Sequence, residues 1–371
     1  MRGNNVLGII FSNTHDEMLR ELTDVRTMGS VPYGGRYRLI DFQISNLVNS
    51  GVNKIGVIAK SNYQSLLDHV GSGKSWDLSR KRGGLSILPP FSTGTGIYHG
   101  KVEALLGNLS FLRGSQEDYV VLTDCDIVCN IDVSALVKAH IEKKADITIA
   151  YKAGGAPKHT AEKLVLDVNK SRRVTGTIPA DMADEKSAWG MNMYVMGRQF
   201  LIDSLKRCFN EGKVDFRRDL IMKSIDQGKV YGYKFDGYTG VINSVGQYFE
   251  ANMDLLKSKV RTDLFNPDRP IFTKVRDEQP AKYGLGSQVV NSFVADGCII
   301  DGEVTNCVLF RGAKVKKGAV LKNCIIMQDC VIGEDCELVN VIIDKNAVLN
   351  DGRKLVGFES YPVYVNKGSV V

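Results

Sequence analysis

Apolar and polar residues follow two periods along the first two-thirds of the chain, one typical of buried strands and one typical of amphipathic helices. Short apolar runs predict strands at Leu7–Phe11, Lys54–Ala59, Tyr119–Leu122, Ile147–Tyr151, Met191–Met196 and Lys229–Phe235. Helical spacing predicts helices at Ile40–Asn49, Asn62–Val70, Val102–Leu112, Val133–Glu142, Arg198–Phe209 and Phe216–Ile225. This alternation predicts a mostly parallel sheet with helices on both faces, whose ligands bind at the carboxyl ends of the strands.

The stretch Val31–Gly51, VPYGGRYRLIDFQISNLVNSG, combines a turn with an amphipathic helix. Pro32 fixes its own φ, and Gly34 and Gly35 permit a backbone that other residues rarely adopt. Gly51 is the predicted helix stop.

The helical pattern ends near Leu256, and the proline-containing segment Arg261–Gly286 is a predicted linker. From Val289 onward, apolar hexads such as CVLFRG, CIIMQD and CVIGED predict a parallel β-helix. Its cysteines Cys324, Cys330 and Cys336 recur every six residues. We interpret them as small inward-facing apolar residues and not as metal ligands. The predicted units are an α/β domain at 1–256, a linker at 257–287 and a β-helix domain at 288–371.

Length, cysteines and charge narrow the functional classes. The chain has 371 residues, which predicts two domains, and no apolar run approaches the ~20 residues of a membrane span. We interpret Val6–Phe11 as a buried strand and not a signal peptide, so the eight cysteines indicate reduced thiols in a cytoplasm. The net charge of +6 favours small anionic ligands. The absence of a basic stripe interleaved with aromatic residues argues against nucleic acid as a ligand.

Several segments resemble one enzyme family in the right order along the chain. Beside Val31–Gly51, they are HVGSGKSWDL at His69–Leu78, YHGKVEALLGN at Tyr98–Asn108, VDFRRDLI at Val214–Ile221 and EANMDLL at Glu250–Leu256. The chain thus resembles the bacterial ADP-glucose pyrophosphorylases, the glucose-1-phosphate adenylyltransferases. The resemblance implies a Rossmann-like α/β domain of the GT-A type followed by a left-handed parallel β-helix.

The resemblance also shows which nucleotide-binding groups are missing. Active members bind the triphosphate with a glycine-rich loop, an arginine and a lysine, and with Mg²⁺ held by two aspartates. The run after the first predicted strand, SNTHDEMLRELT, contains no glycine. The arginine of the family falls at Met18 and its lysine falls at Met28.

The carboxylates are also incomplete. Aligned from the strand, Cys125 takes the position of the first metal-binding aspartate, whereas aligned from Asp132, Asp126 takes it. Both possibilities stay open, and Asp124 and Asp126 are candidate ligands for a residual cation. The second metal-binding aspartate falls at Val241, which offers Mg²⁺ no oxygen. Thr177–Ala180 stands where the family has its sugar-phosphate lysine.

Losing these groups together predicts a chain that is inactive, or nearly so, by itself. The pattern resembles that of the GlgD-type subunit, which implies a regulatory partner of the catalytic glucose-1-phosphate adenylyltransferase subunit in a hetero-tetramer, with self-association a further option. The resemblance implies no cofactor for this chain, with Mg²⁺ in the catalytic partner. An active nucleotidyltransferase with a rebuilt site is the main alternative, and a hexapeptide acyltransferase is a weaker one because no histidine follows His159.

Four basic residues are candidates for binding an anionic effector such as a sugar phosphate. Arg36 aligns with a lysine that contacts phosphorylated effectors in some active members. Arg38, Lys60 and His69 lie on the same predicted loop or on neighbouring ones.

Overall fold

In this computed structural model, residues 5–90, 98, 100–154, 164–184 and 186–371 are described. The N-terminal strands are β1 Val6–Phe11, β2 Pro32–Tyr33, β3 Tyr37–Arg38, β4 Lys54–Ile58, β5 Gly84–Leu88, β6 Tyr119–Asp124, β7 Ile127–Val128, β8 Ile147–Ala153, β9 Val165–Val168, β10 Val174–Ile178, β11 Ala188–Gly197, β12 Val230–Lys234 and β13 Gly240–Val241. The helices are α1 Arg20–Thr23, α2 Leu39–Asn49, α3 Gln64–Val70, α4 Lys101–Gly107, α5 Leu109–Arg113, α6 Val133–Glu142, α7 Arg198–Asn210, α8 Lys223–Gln227, α9 Val245–Asp254 and α10 Ser258–Leu264.

The main sheet has the strand order β10-β9-β11-β6-β1-β4-β5, and β8 and β12 continue from β11. Strands β6, β1, β4 and β5 pair in parallel, whereas β11 is antiparallel to β6 and β8. Side chains of β1 alternate between the two apolar cores on either side of the sheet, so this strand is buried on both faces. The predicted mostly parallel sheet is confirmed.

Some elements differ from the sequence prediction. The helix predicted at Val102–Leu112 breaks at Asn108 into α4 and α5. The helix predicted at Phe216–Ile225 is a π-helix over Phe216–Met222 that continues as α8. The edge hairpin of β9 and β10 was missed because these strands are short and offer only three and two apolar residues to a periodicity.

Helix α2 is buried along Leu39–Leu47 and lies beneath the loop that follows β6. Its polar side chains bond that loop directly, since Gln43 Nε2 donates to the Ile127 carbonyl at 2.7 Å and Asn46 Nδ2 donates to the Cys129 carbonyl at 3.0 Å. The stretch Val31–Gly51 therefore positions the segment that carries Asp124 and Asp126.

The C-terminal domain is a parallel β-helix with three five-stranded sheets. Its strands are β14 Lys282–Tyr283, β15 Gln288–Val290, β16 Phe293–Val294, β17 Ile299–Ile300, β18 Glu303–Thr305, β19 Val308–Leu309, β20 Lys314–Val315, β21 Val320–Lys322, β22 Ile325–Ile326, β23 Val331–Ile332, β24 Glu337–Val339, β25 Val341–Ile343, β26 Val348–Leu349, β27 Lys354–Val356 and β28 Val363–Val365. It is of the left-handed hexapeptide type, as predicted. Most coils advance by 17 residues, as in the pairing of Ile325 with Ile342.

Cys324, Cys330 and Cys336 are buried in the interior of the β-helix, in agreement with their interpretation as small apolar residues. A step of six residues moves from one face of the coil to the next, so these cysteines precede strands of three different sheets. The stacking neighbour of Cys324 is instead Cys307, whose Sγ accepts from the Cys324 amide at 3.3 Å.

The two domains share one apolar core. Phe310 and Ile342 of the β-helix belong to the cluster that also contains Tyr33 and Phe42. Gly35 has φ +80°, and a Cβ there would lie 3.3 Å from the Phe293 ring. We propose that the segment 257–287 connects the two domains; it begins with α10, and its last part includes β14, which already pairs with β17 of the β-helix.

Candidate functional site

Strands β1, β4 and β6 end at the same edge of the sheet because they are parallel. The loop after β1 is fixed there, since the Ser12 amide donates to the Ile58 carbonyl at 3.1 Å and the Gly29 amide donates to the Ser12 carbonyl at 2.8 Å. Leu19 and Leu22 of this loop are buried in the apolar core that also contains Met28. The loop has no glycine between Ser12 and Met28, in contrast to the glycine-rich loops whose backbone amides cradle a phosphate.

The two methionines that align with family cations differ in their surroundings. Met28 is buried, and its amide donates to Asp16 Oδ1 at 2.8 Å, while Met18 is half-buried. Burial raises the pKa of Asp16 to about 7 even though the Met28 amide and Lys60 lower it. The loop therefore carries a carboxyl group where a triphosphate would require positive charge.

Asp124 and Asp126 form the buried centre of the site, each with 2% of its surface exposed. Lys101 Nζ donates to Asp124 Oδ2 at 2.6 Å, and His15 Nε2 lies 3.2 Å from the same oxygen. Asn192 Nδ2 donates to Asp126 Oδ2 at 2.8 Å. Burial by itself would raise the pKa of Asp124, but the charge of Lys101 and the hydrogen bond from His15 hold it below its ordinary value.

Cys125 faces away from these carboxylates. Its side chain is buried in the core on the side of Met28, and burial raises the pKa of its thiol well above the ordinary value. Cys125 and Asp126 lie in the bend between β6 and β7, and this bend separates the thiol from the carboxylates on either side of it.

Val241 lies beside the same cluster. Strand β13 pairs with β7, so that Val241 is opposite Ile127, and the Ile242 amide donates to the Asp126 carbonyl at 2.8 Å. The position of the second carboxylate is thus adjacent to the first, but an apolar side chain occupies it. Thr177–Ala180, the other altered segment, spans the end of β10 and the residues after it.

The four anion-binding candidates do not form one group. Asp41 Oδ1 lies 2.6 Å from His69 Nε2, and its Oδ2 accepts from the Arg38 backbone amide at 3.0 Å. The Arg38 guanidinium donates through Nη1 to the Ser65 carbonyl at 2.6 Å. Arg36 is exposed beside Tyr37. Lys60 lies 5.8 Å from the Tyr98 ring centroid and close to Asp16, on the side of the acidic cluster.

The β-helix adds one basic residue, Lys345, to the Arg38 side, and sequence reasoning missed it. Lys345 is half-buried there, and burial together with the charges of Arg38 and Arg26 lowers its pKa to about 6. Arg26 donates through Nη2 to Asp344 Oδ2 at 2.8 Å, with both side chains buried. No sequence signal links these residues, since more than 300 positions separate Arg26 from Asp344 and Lys345.

Comparison with known proteins agrees with this geometry. Residues 7–257 match the family model described as nucleotidyl transferase, and residues 276–361 match a GlmU-like C-terminal hexapeptide model. The chain belongs to the nucleotidyl transferase family.

Its relatives indicate which kind of nucleotidyl transferase homologue the chain is. It is 34% identical to the glycogen biosynthesis protein GlgD of Bacillus subtilis, over all of this chain and 98% of the relative. It is 32% identical to the glucose-1-phosphate adenylyltransferase of Pseudothermotoga lettingae, over 84% of this chain and 74% of that enzyme. The chain is therefore a nucleotidyltransferase homologue related to glycogen biosynthesis, and it resembles the GlgD type. No helix among the described residues is long and apolar enough to cross a membrane.

The magnesium ion that this family implies does not fit the residues present. Mg²⁺ requires a nearly octahedral set of oxygen ligands. Val241 supplies none from its side chain, and Oδ2 of both aspartates already accepts hydrogen bonds from Lys101, His15 and Asn192. We derive no reaction step through a metal in this chain.

Proposed function

We propose that the chain is a regulatory subunit, without appreciable catalysis of its own, for a catalytic glucose-1-phosphate adenylyltransferase. The observation that carries the proposal is the acidic cluster, in which Lys101 and His15 contact Asp124 while Val241 occupies the adjacent position. Nucleotidyl transfer requires positive groups and a metal arranged around the phosphates, because negative charge develops on them. In this chain the cationic groups contact the protein's own carboxylates.

An active enzyme with a rebuilt site is the second candidate, supported by the surviving carboxylates Asp124 and Asp126. One assay separates the two candidates. The purified chain is given ATP, glucose 1-phosphate and Mg²⁺, and ADP-glucose is measured. The regulatory proposal expects no product above the blank, whereas turnover within about a hundredfold of an ordinary ~10 s⁻¹ enzyme would contradict it.

The proposed partner is the catalytic homologue, with which this chain would form a hetero-oligomer. Exposed apolar side chains on the β-helix support a subunit contact, among them Leu285, Phe358 and Tyr361. Such a contact would let this chain bias the active and inactive states of its partner through unequal interaction with the two.

Co-expression tests the partnership. We expect the two chains to elute together, with the catalytic chain showing higher turnover or an altered effector response. Phe358→Ser with Tyr361→Ser is the surface variant expected to weaken co-elution, and Phe209→Ser, an exposed change in the α/β domain, is its matched control. Separate elution at micromolar concentration, with partner kinetics unchanged, would reject the regulatory role.

We further propose that an anionic effector, of the sugar-phosphate type, binds where Arg38 and His69 face Lys345. Basic groups from both domains converge at this place. An anion bound there would contact the α/β domain and the β-helix at once, which gives it a means to favour one arrangement of the two.

A further inference from the structure

Asp124 and Asp126 place two carboxylates side by side in the protein interior. Buried carboxylates are costly unless opposite charge and hydrogen bonds compensate them. Oδ1 of both residues is buried and has no hydrogen-bond partner among the described residues. These oxygens retain lone pairs that no hydrogen bond among the described residues uses, and carboxylate oxygens are the ligands that hard divalent cations prefer.

Lys101 supplies the compensating charge from within the chain. Its ammonium is 2.6 Å from Asp124 Oδ2, and its side chain is only 11% exposed. Three aromatic rings surround the ammonium, with Nζ 5.3 Å from the Phe11 centroid, 5.6 Å from that of Phe216 and 5.8 Å from that of Tyr194. Rings at this distance attract a cation through their faces.

We propose that the Lys101 ammonium takes the place of a divalent cation at Asp124 and Asp126, so that the carboxylate pair is a latent cation site closed by the chain's own lysine. The ammonium bonds Asp124 Oδ2, and its charge opposes the approach of a second cation to the neighbouring Oδ1 atoms. Without Lys101, two buried carboxylates with free lone pairs remain beside His15. This inference goes beyond the regulatory role, since it holds whether or not the chain acts on a partner.

Manganese binding tests the proposal, because Mn²⁺ uses the same oxygen ligands and its free form is measured directly by electron paramagnetic resonance. The full-length chain is titrated with MnCl₂ alone as wild type, Lys101→Met and Lys101→Met with Asp126→Asn. Methionine keeps much of the apolar stem in the aromatic surroundings and removes the charge. We expect Lys101→Met to bind one Mn²⁺ per chain at least tenfold more tightly than the wild type, and the double variant to lose that site.

Lys101→Arg is the matched control, since it retains the positive charge and should gain no Mn²⁺ site. The proposal is wrong if the wild type binds one Mn²⁺ as tightly as Lys101→Met, or if folded Lys101→Met gains no binding. If Lys101→Met does not fold, the proposal is tested on the wild type alone. A saturable Mn²⁺ site in the wild type that has a dissociation constant below about 100 µM, within the range of protein sites for divalent cations, and that Asp126→Asn removes would overturn the inference. The absence of such a site would support it.

Discussion

Arg26 Nη2 lies 2.8 Å from Asp344 Oδ2, and this buried ion pair joins the loop after β1 to the β-helix. Tyr364 Oη donates to the same carboxylate oxygen at 2.6 Å. The loop that replaces the nucleotide-binding loop of active relatives is thereby tied to the C-terminal domain.

Removing the charge of Asp344 should destabilise the protein strongly. Asp344→Asn leaves the Arg26 guanidinium buried without its carboxylate, and breaking a buried pair from one side costs about 3–5 kcal/mol. Urea denaturation measures the loss. Glu142→Gln, in the exposed pair of Lys138 and Glu142, is the control and should change stability by less than about 1 kcal/mol. Equal effects of the two substitutions would show that the buried pair is not coupled to folding.

Anion binding at the domain junction should strengthen as the pH falls. The pKa of Lys345, lowered to about 6 by burial and by Arg38 and Arg26, means that this lysine is mostly neutral at pH 7.5 and mostly charged at pH 5.5. Sulfate keeps its charge over this range, so calorimetric titration should give roughly tenfold tighter binding at pH 5.5, as expected for one added positive charge. Burial also lowers the pKa of His69, which disfavours its charged form over the same range.

Lys345→Met should remove most of that pH dependence, and the exposed Lys317→Met should leave it intact. Without a bound anion, the pH has the opposite effect on folding stability, which rises as the pH rises. A lysine with a lowered pKa in the folded state opposes folding while charged, so its contribution improves between about pH 6 and 10.5. Sulfate affinity that is independent of pH in the wild type would argue against Lys345 as an anion ligand.

Truncating Phe310 should test whether the domains fold as one unit. Its side chain is fully buried in the core shared with Phe42, so Phe310→Ala should cost about 3–5 kcal/mol. Phe209→Ala is the control, because that ring is 71% exposed, and it should stay within about 0.5 kcal/mol. Two separate thermal transitions in the wild type, only one of them moved by Phe310→Ala, would contradict a shared core.

One corner of the β-helix is built on stacked asparagines. Asn306, Asn323 and Asn340 all have φ between 51° and 54°, and Asn323 Nδ2 donates to Asn340 Oδ1 at 3.2 Å. A left-handed backbone costs an ordinary residue about 1–2 kcal/mol, so Asn323→Ala should lower the free energy of unfolding by at least that amount. Asn323→Gly keeps the backbone and loses only the amide bonds, and it should be milder. Denaturation showing alanine to be the better tolerated residue would refute this assignment.

The amino-acid sequence by itself determined the type of each domain. Strands such as β1 and helices such as α6 depend on apolar periods over a few neighbouring residues, and these periods are visible in one chain. The six-residue repeat of Cys324, Cys330 and Cys336 likewise corresponds to the step from one face of a coil to the next, so it predicts the β-helix from the sequence. The loss of glycine after β1 and the presence of Met28 and Val241 were also visible there.

Only the tertiary structure decided what the remaining polar groups do. Lys101 reaches Asp124 from a separate helix, and Arg26 reaches Asp344 across 318 positions. Cys125 and Asp126 are alternatives for one position by alignment, and the bend between β6 and β7 places the thiol in the apolar core and the carboxylate in the acidic cluster. Such contacts depend on how strands and domains pack, and packing joins residues that no local period relates.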